Sequence, residues 1–312
     1  MANELRRSWM FVPGHRQKMI DKALGLSHID ALMLDIEDGV PQQEKQTARE
    51  QIGASLTQAR AAGTTPARFV RVSAASYEHL SADLAHIVQP GLDGLVLPKI
   101  ETPSQIQLAD AILRDRERQS GLAQGKVALL VAIESPRGLM NAHAIATASP
   151  RVTGLLFGAE DYGKELGLPF RREGEASEML FHRSALVVAA AAVNIQAVDG
   201  VWPDLSDPTG LERFALQSRR LGFSGMSSIH PGQVDTINRI FGPTAEEMAY
   251  CQKVIEAFDA AIARGDGSIA FGGQLIDLPI VERAKRTVAF AEKLGVASEF
   301  LRSEQRGTRS PE

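Results

Sequence analysis

A chain of 312 residues, 44% hydrophobic and 23% charged, holds enough apolar material for a sizeable core, and one large domain with an appendage accounts for it better than two equal ones. A net charge of -4 without long runs of either sign excludes whole-molecule attraction to nucleic acid or to an anionic membrane, so an anionic ligand must be met by a local basic cluster. One cysteine, Cys251, excludes an internal disulfide, no Cys/His spacing suggests zinc, and no apolar run approaches the roughly 20 residues of a membrane span; a soluble, cytoplasmic protein is expected.

Short β-rich apolar runs alternate with longer amphipathic stretches from end to end, the mark of a parallel α/β architecture. Eight strands are predicted, over 8–12, 31–36, 69–73, 94–97, 127–133, 154–157, 195–201 and 225–229. Helices are predicted over 15–26, 42–60, 77–88, 103–119, 137–147, 176–193 and 211–221. The start of the fourth is well marked: Thr102 can cap, Pro103 opens the first turn and Gln105 stands three after the cap. Eight strand–helix units in 240 residues match a (β/α)8 TIM barrel better than an open doubly wound sheet, and no glycine-rich dinucleotide fingerprint follows the first strand.

Beyond 240 the pattern changes. Thr244-Ala245-Glu246-Glu247 reads as a capping box, after which Met248, Cys251, Ile255, Phe258 and Ile262 recur at helical spacing until Gly265. A flexible glycine-rich stretch, 265–274, leads to Asp277 and a last helix with Val281, Ala284, Val288 and Ala291 on one side. Residues 241–301 are therefore expected to form a helical cap beyond the barrel, with 302–312 as a frayed tail.

A barrel carries its chemistry at the C-terminal ends of its strands. The second strand ends in Asp35-Ile36-Glu37-Asp38-Gly39, the third carries Arg71, the fourth ends at Pro98-Lys99, the fifth at Glu134, and the sixth runs through Gly158-Ala159-Glu160 to Asp161. So many ionisable groups around one mouth must pair with one another, with a metal or with a ligand. Glu134 and Asp161 are hard oxygen donors at the ends of adjacent strands, which suits Mg2+; the alternative is that each caps the helix that follows. Arg71 can grip a substrate carboxylate through two parallel hydrogen bonds, or form a structural ion pair with Glu37 or Asp35. Lys99 and Glu37 read as partners that orient these groups. His230 can bond the backbone or a ligand, and Cys251 reads as core.

Taken in order, Phe11-Val12-Pro13-Gly14, Leu34 through Val40, Arg71-Val72, Leu97-Pro98-Lys99, Ile133-Glu134-Ser135, Gly158-Ala159-Glu160-Asp161, Gly222-Phe223, Ile229-His230-Pro231 and Ile276-Asp277-Leu278-Pro279 resemble the β-subunit of citrate lyase and the malyl- and citramalyl-coenzyme A lyases, within the HpcH/HpaI aldolase superfamily. The resemblance covers almost the whole chain. It implies Mg2+ held by Glu134 and Asp161, Arg71 on the carboxylate of a small 2-oxo acid, and Asp277 as an acid/base delivered by the C-terminal cap of a neighbouring subunit in a homotrimer. Phe11, Arg16 and Lys22 would then contact coenzyme A; the two cations, six residues apart, are expected on the same side of a helix start. The implied reaction is cleavage or formation of a 3-hydroxyacyl-CoA, with acetyl-CoA and glyoxylate or pyruvate as the other side. Two segments depart from the family: Gly225-Met226 stands where glycine–lysine is common, and the loop Trp202 to Asp207 is atypical; both are expected to bear on the substrate. The rival readings are a citryl-acyl carrier protein lyase subunit active only in a complex, a metal-dependent aldolase without coenzyme A, and a thioesterase or synthase outcome at the same site.

Overall fold

Five buried residues in a row, Ala31–Asp35, mark a strand covered on both faces, as parallel strands inside a helical shell must be. The computed structural model describes residues 5–58, 66–73, 76–169 and 175–294. Eight parallel strands close a barrel in chain order: β1 (Ser8–Pro13), β2 (Ala31–Asp35), β3 (Ala67–Arg71), β4 (Gly94–Leu97), β5 (Ala128–Ile133), β6 (Val152–Phe157), β7 (Gln196–Asp199) and β8 (Gly225–Ser228), which returns to pair with β1. Around them run α1 (Gln17–Leu24), α2 (Lys45–Leu56), α3 (Tyr77–Ile87), α4 (Pro103–Gln119), α5 (Pro136–Met140), α6 (Ala142–Ala146), α7 (Ala159–Leu166), α8 (Leu180–Ala191), α9 (Pro208–Leu221) and α10 (Val234–Phe241). The (β/α)8 barrel expected from the strand count is therefore the fold.

The alternation of side chains sorts the apolar residues into two sets. Trp9, Ala31, Met33, Ala67, Phe69, Val96, Leu130, Ala132, Leu156 and Val198 fill the barrel. Their sequence neighbours, such as Met10, Leu32, Leu34, Val70, Leu95, Leu129, Val131 and Leu155, pack under the helices, as does Met226. Inside, Trp9 meets Phe69 edge to face at 4.9 Å between ring centroids.

The helices differ from expectation in four places. The stretch 137–147 is two helices, broken at Asn141, whose side-chain amide donates to the Glu101 carbonyl at 2.8 Å. The helix expected over 42–60 opens with a 3-10 turn, Gln42–Glu44, and α2 ends at Leu56; Arg60 lies outside the described residues, as does the tail from 302. Two helices were not legible: α7, which follows β6 where a strand end is expected, and α10, which buries Val234, Ile237, Ile240 and Phe241.

A second unit starts at Gly242. Its first helix, α11 (Ala245–Ala263), carries the Thr244/Glu247 capping box, with the Glu247 amide donating to Thr244 Oγ1 at 3.1 Å. The glycine-rich stretch is not a flexible linker: Ile269–Phe271 (β9) and Gln274–Ile276 (β10) pair antiparallel about Gly272 and Gly273. Both glycines have positive φ, 58° and 79°, the backbone that a two-residue hairpin turn demands. The last helix is α12 (Leu278–Lys293). Val254, Phe258, Ile276, Val281 and Ala284 form this unit's own core, with Cys251 packed against it. Among the described residues no helix is long and apolar enough to cross a membrane.

Candidate active site

The inward parity that fills the barrel with apolar side chains continues to the last strand residue or one step past it, and there the residue types change. Two positions after Met33, Phe69, Ala132, Leu156 and Val198 come Asp35, Arg71, Glu134, Gly158 and Gly200. Together with Phe11, Pro13, Asp161, Ser227 and others they line a cavity of about 290 Å³ at the C-terminal mouth.

Arg71 lays its Nε and Nη2 on the two oxygens of Asp35, at 2.7 and 2.8 Å, and its Nη1 lies 3.3 Å from Glu37 Oε2. Its guanidinium carbon stands 4.7 Å over the Phe11 ring. Burial works against the charge, but Asp35, Glu37 and Glu134 outweigh it and hold the guanidinium more firmly protonated than usual. Asp35 in turn accepts the backbone N–H of Glu37 and of Gly39, each at 2.9 Å. A Cβ at Gly39 would collide with Asp35 Oδ2, so only glycine fits there. The ion pairs with Asp35 and Glu37 thus exist, and they leave the Nη1–Nη2 end, not the Nε–Nη2 edge, as the side of Arg71 that can meet an anion.

Glu134 is buried at the end of β5, its Oε2 accepting the Lys99 backbone N–H at 3.1 Å. Burial pushes its carboxyl up, Arg71 and Lys99 pull it down, and the negative charges of Glu37 and Asp161 raise it again, leaving it at about 7. Gly158 makes room for it, since a Cβ there would stand 2.7 Å from Glu134 Oε1. Asp161 lies not at the end of a strand but in the first turn of α7, and lines the same cavity. Neither residue caps a helix, for Ser135 and Gly158 occupy those positions.

The donor set suits a hard cation. Glu134 is a desolvated carboxyl short of positive charge, and Asp161 adds a second oxygen donor on the same wall. Among the described residues no group of three or more His, Cys, Asp or Glu is placed to hold a metal, so an ion here would complete its shell with water or substrate. Magnesium tolerates that arrangement; structural zinc does not.

Lys99 has a left-handed backbone, φ 54°, unusual for a side chain with a Cβ. That turn delivers its N–H to Glu134, while its Nζ reaches Glu37 Oε1 at 2.7 Å and Asp38 Oδ2 at 2.6 Å. Asp161 lies 3.9 Å from the same ammonium, which its carboxylate partners keep more firmly protonated despite desolvation.

The remaining expected residues are placed as follows. Phe11 lines the cavity. Arg16 is exposed at the N-cap of α1, but Lys22 is in the last turn of that eight-residue helix, about 9 Å farther along its axis, so the two do not share the helix start. Asp277 holds the N-cap position of α12, yet its carboxylate makes no capping hydrogen bond. His230 Nδ1 accepts the Gly232 N–H at 3.0 Å. Met226 is fully buried in the helical shell and does not face the cavity, so its divergence leaves the site untouched. Trp202 is tied down instead of presented to a ligand: its Nε1 donates to the Asp207 carbonyl, and its ring packs on Phe214. The Arg71–Asp35 ion pair is one of the two that the sequence offers. Ser227 escapes a reading of motifs, and parity within β8 is the signal that finds it.

The HpcH/HpaI aldolase/citrate lyase family profile matches residues 7–231. Citrate lyase subunit beta of Escherichia coli K12 is 35% identical over 294 residues, 94% of this chain and 96% of that protein. The human mitochondrial citramalyl-CoA lyase is 31% identical over 303 residues, 93% of this chain and 86% of that one. Among solved structures, the CitE protein of Mycobacterium tuberculosis, in complex with magnesium, acetoacetate and coenzyme A, superposes with a TM-score of 0.73 at 27% identity, covering 93% of this chain and 99% of that one. The chain belongs to the HpcH/HpaI aldolase/citrate lyase family and is a carbon–carbon lyase.

Proposed function

We propose that the chain catalyses the reversible, magnesium-dependent cleavage of a 3-hydroxyacyl-CoA of the malyl or citramalyl type to acetyl-CoA and a small 2-oxo acid, in the cytoplasm. The observation that carries this reading is the buried, charge-starved Glu134 sharing one cavity with Asp161 and Arg71. The magnesium, acetoacetate and coenzyme A bound by the Mycobacterium tuberculosis relative support it. Glu134 and Asp161 would hold the cation, which when bound supplies Lewis-acid polarisation of the substrate oxygen and a template for its carboxylate.

The rest falls to the protein. The Nη1–Nη2 end of Arg71, aimed by Asp35, takes the substrate carboxylate. Lys99 fixes Glu37 and, through its amide, Glu134, so these charges do not reorganise as the reaction proceeds. In cleavage the hydroxyl loses its proton to solvent, the C–C bond breaks to leave the oxo acid, and the electron pair passes to the thioester as an enolate. Asp277, free of capping duty, gives a proton to the enolate carbon; in synthesis it removes one from the acetyl methyl. We assign Asp277 to a site of a neighbouring subunit in a homotrimer, and Phe11, Arg16 and Lys22 to coenzyme A.

Incubating the pure protein with malyl-CoA and citramalyl-CoA, with and without Mg2+, and identifying the products tests this directly. Acetyl-CoA with an oxo acid is the expected outcome; free coenzyme A with the intact hydroxy acid would show a thioesterase instead. A second reading is favoured by the full-length match to citrate lyase subunit beta: a chain that works on an acyl carrier protein thioester within a complex. Inactivity on every coenzyme A ester, with turnover of citryl-acyl carrier protein, would decide for it.

A further inference from the structure

The turn that follows β2 carries Glu37 and Asp38, and its backbone groups are held from two sides. On the barrel side the Asp35 carboxylate accepts the N–H of Glu37 and of Gly39. On the helix side Lys45, the first residue of α2, donates from Nζ to the carbonyl of Ile36 at 2.6 Å and to that of Glu37 at 2.8 Å. Both bonds are charge-assisted, and Lys45 is half-buried where it makes them. The Ile36 carbonyl also accepts the Ser73 hydroxyl at 3.4 Å, from the turn after β3. A cation in the first turn of a helix opposes the helix dipole, so the place of Lys45 is explained by what it holds and not by α2 itself.

What this turn positions is Arg71. Asp35 engages Nε and Nη2 of the guanidinium, and Glu37 Oε2 stands 3.3 Å from Nη1. With the two carbonyls released, the Glu37 and Gly39 amides are free to withdraw from Asp35, and Arg71 loses the direction that leaves its Nη1–Nη2 end open. Glu134 and Asp161 stand outside this turn, after β5 and in α7. We infer that Lys45 is a positioning residue for substrate binding: by fixing the turn after β2 it keeps Arg71 aimed at the carboxylate of the oxo acid, and it takes no part in metal binding. The inference rests on the reading that an oxo-acid carboxylate meets Arg71.

The test separates aim from stability. Mg2+ alone, and then pyruvate and glyoxylate at saturating Mg2+, are titrated calorimetrically into the full chain as wild type, Lys45→Met and Arg151→Met. Arg151 pairs with Asp110 and Glu117 just before β6, at the N-terminal end of the barrel, so its loss is a destabilising change remote from the mouth. Lys45→Met should bind both acids about three- to tenfold more weakly, the cost of ordering one long side chain on binding, with Mg2+ affinity unchanged. Arg151→Met should bind all three as wild type does. Hydrogen exchange followed by mass spectrometry reads the turn without a ligand: the segment 36–40 should lose protection in Lys45→Met and keep it in Arg151→Met. Lys45→Gln is read the same way should Lys45→Met fail to fold. Acids and Mg2+ weakened alike in the Lys45 variant, or the same loss of acid affinity in Arg151→Met, overturns the assignment. Acid binding by wild type that the Lys45 variant leaves intact would sink this inference alone. If wild type binds neither acid, the oxo-acid reading falls, and the exchange decides Lys45 by itself: lost protection keeps it as the residue that fixes the turn, and retained protection removes it.

Discussion

The Arg71 guanidinium is clamped edge-on by Asp35, with both carboxylate oxygens engaged at 2.7 and 2.8 Å. Asp35 is itself held by the amides of Glu37 and Gly39, so the direction in which Arg71 faces the cavity is set by the chain turn that follows β2. A cation aimed this way spends no conformational freedom when an anion arrives.

Arg71→Lys should therefore cost more than a change of like charge suggests, because a lysine cannot hold Asp35 and a substrate carboxylate at once. The expected loss is about 1.5–3 kcal/mol, roughly 10- to 150-fold in kcat/KM, carried chiefly by KM for the oxo acid in the synthesis direction. Asp35→Asn, which keeps the shape but not the charge, should show a smaller loss of the same kind. Unchanged kinetics in Arg71→Lys would make the arginine a purely structural residue.

Glu134→Gln and Asp161→Ala should each abolish or severely weaken Mg2+ binding in a calorimetric titration of the protein alone. Both carboxylates line the same cavity, and no group of three or more His, Cys, Asp or Glu among the described residues offers a substitute site. Affinity equal to wild type in either variant would contradict the assignment.

Asp277 is the residue that the proposed function assigns to a neighbouring subunit's site. On the reading above, a mixture of the inactive variants Asp277→Asn and Arg71→Ala, exchanged into mixed oligomers, regains part of the activity, since some sites then combine an intact arginine with an intact aspartate from the next subunit. Native mass spectrometry monitors the exchange. Confirmed exchange without recovery would place Asp277 in its own chain's site or outside catalysis.

A structural prediction concerns Arg151 on the far side of the barrel from the site chemistry. It donates to Asp110 at 2.6 Å and to both oxygens of Glu117 at 2.7 and 2.6 Å, all of them buried. Burial alone would raise the two carboxyls, but hydrogen bonds from Arg114, Arg151 and Ser149 to Asp110, and from Arg151 and the Val127 and Gly125 amides to Glu117, hold both below their ordinary values. A depressed folded pKa contributes stability above the unfolded value, near pH 4, and loses it as pH falls through the folded one. Arg151→Met should cost about 3–5 kcal/mol at pH 7 by leaving the buried Glu117 with no counter-charge and Asp110 with Arg114 alone, and the penalty should shrink below pH 4 as they protonate. Urea unfolding at both pH values measures it; a penalty independent of pH would show that the charge pairing is not what Arg151 contributes.

What the sequence determined by itself is whatever depends on local period. Runs of apolar residues at strand length, helices between them and the count of eight predict the barrel, and parity along β2, β3 and β5 already points Asp35, Arg71 and Glu134 inward. The capping boxes at Thr102 and Thr244 are legible for the same reason, since all their bonds close within four residues. Period fails where an element is short or broken: α7 has eight residues with Gly163 inside it, and the hairpin of β9 and β10 has strands of three. The sequence offers Asp35 and Glu37 as partners of Arg71 without deciding the geometry of the pairing. Arg71 is 36 residues from Asp35, Lys99 is 62 from Glu37 and 35 from Glu134, and only the register of neighbouring strands and the turns at their ends decide which charge meets which. The left-handed turn at Lys99 and the unpaired hydroxyl of Ser227 belong to that class too: each follows from how the closed barrel packs around a residue, and the local pattern is blind to it.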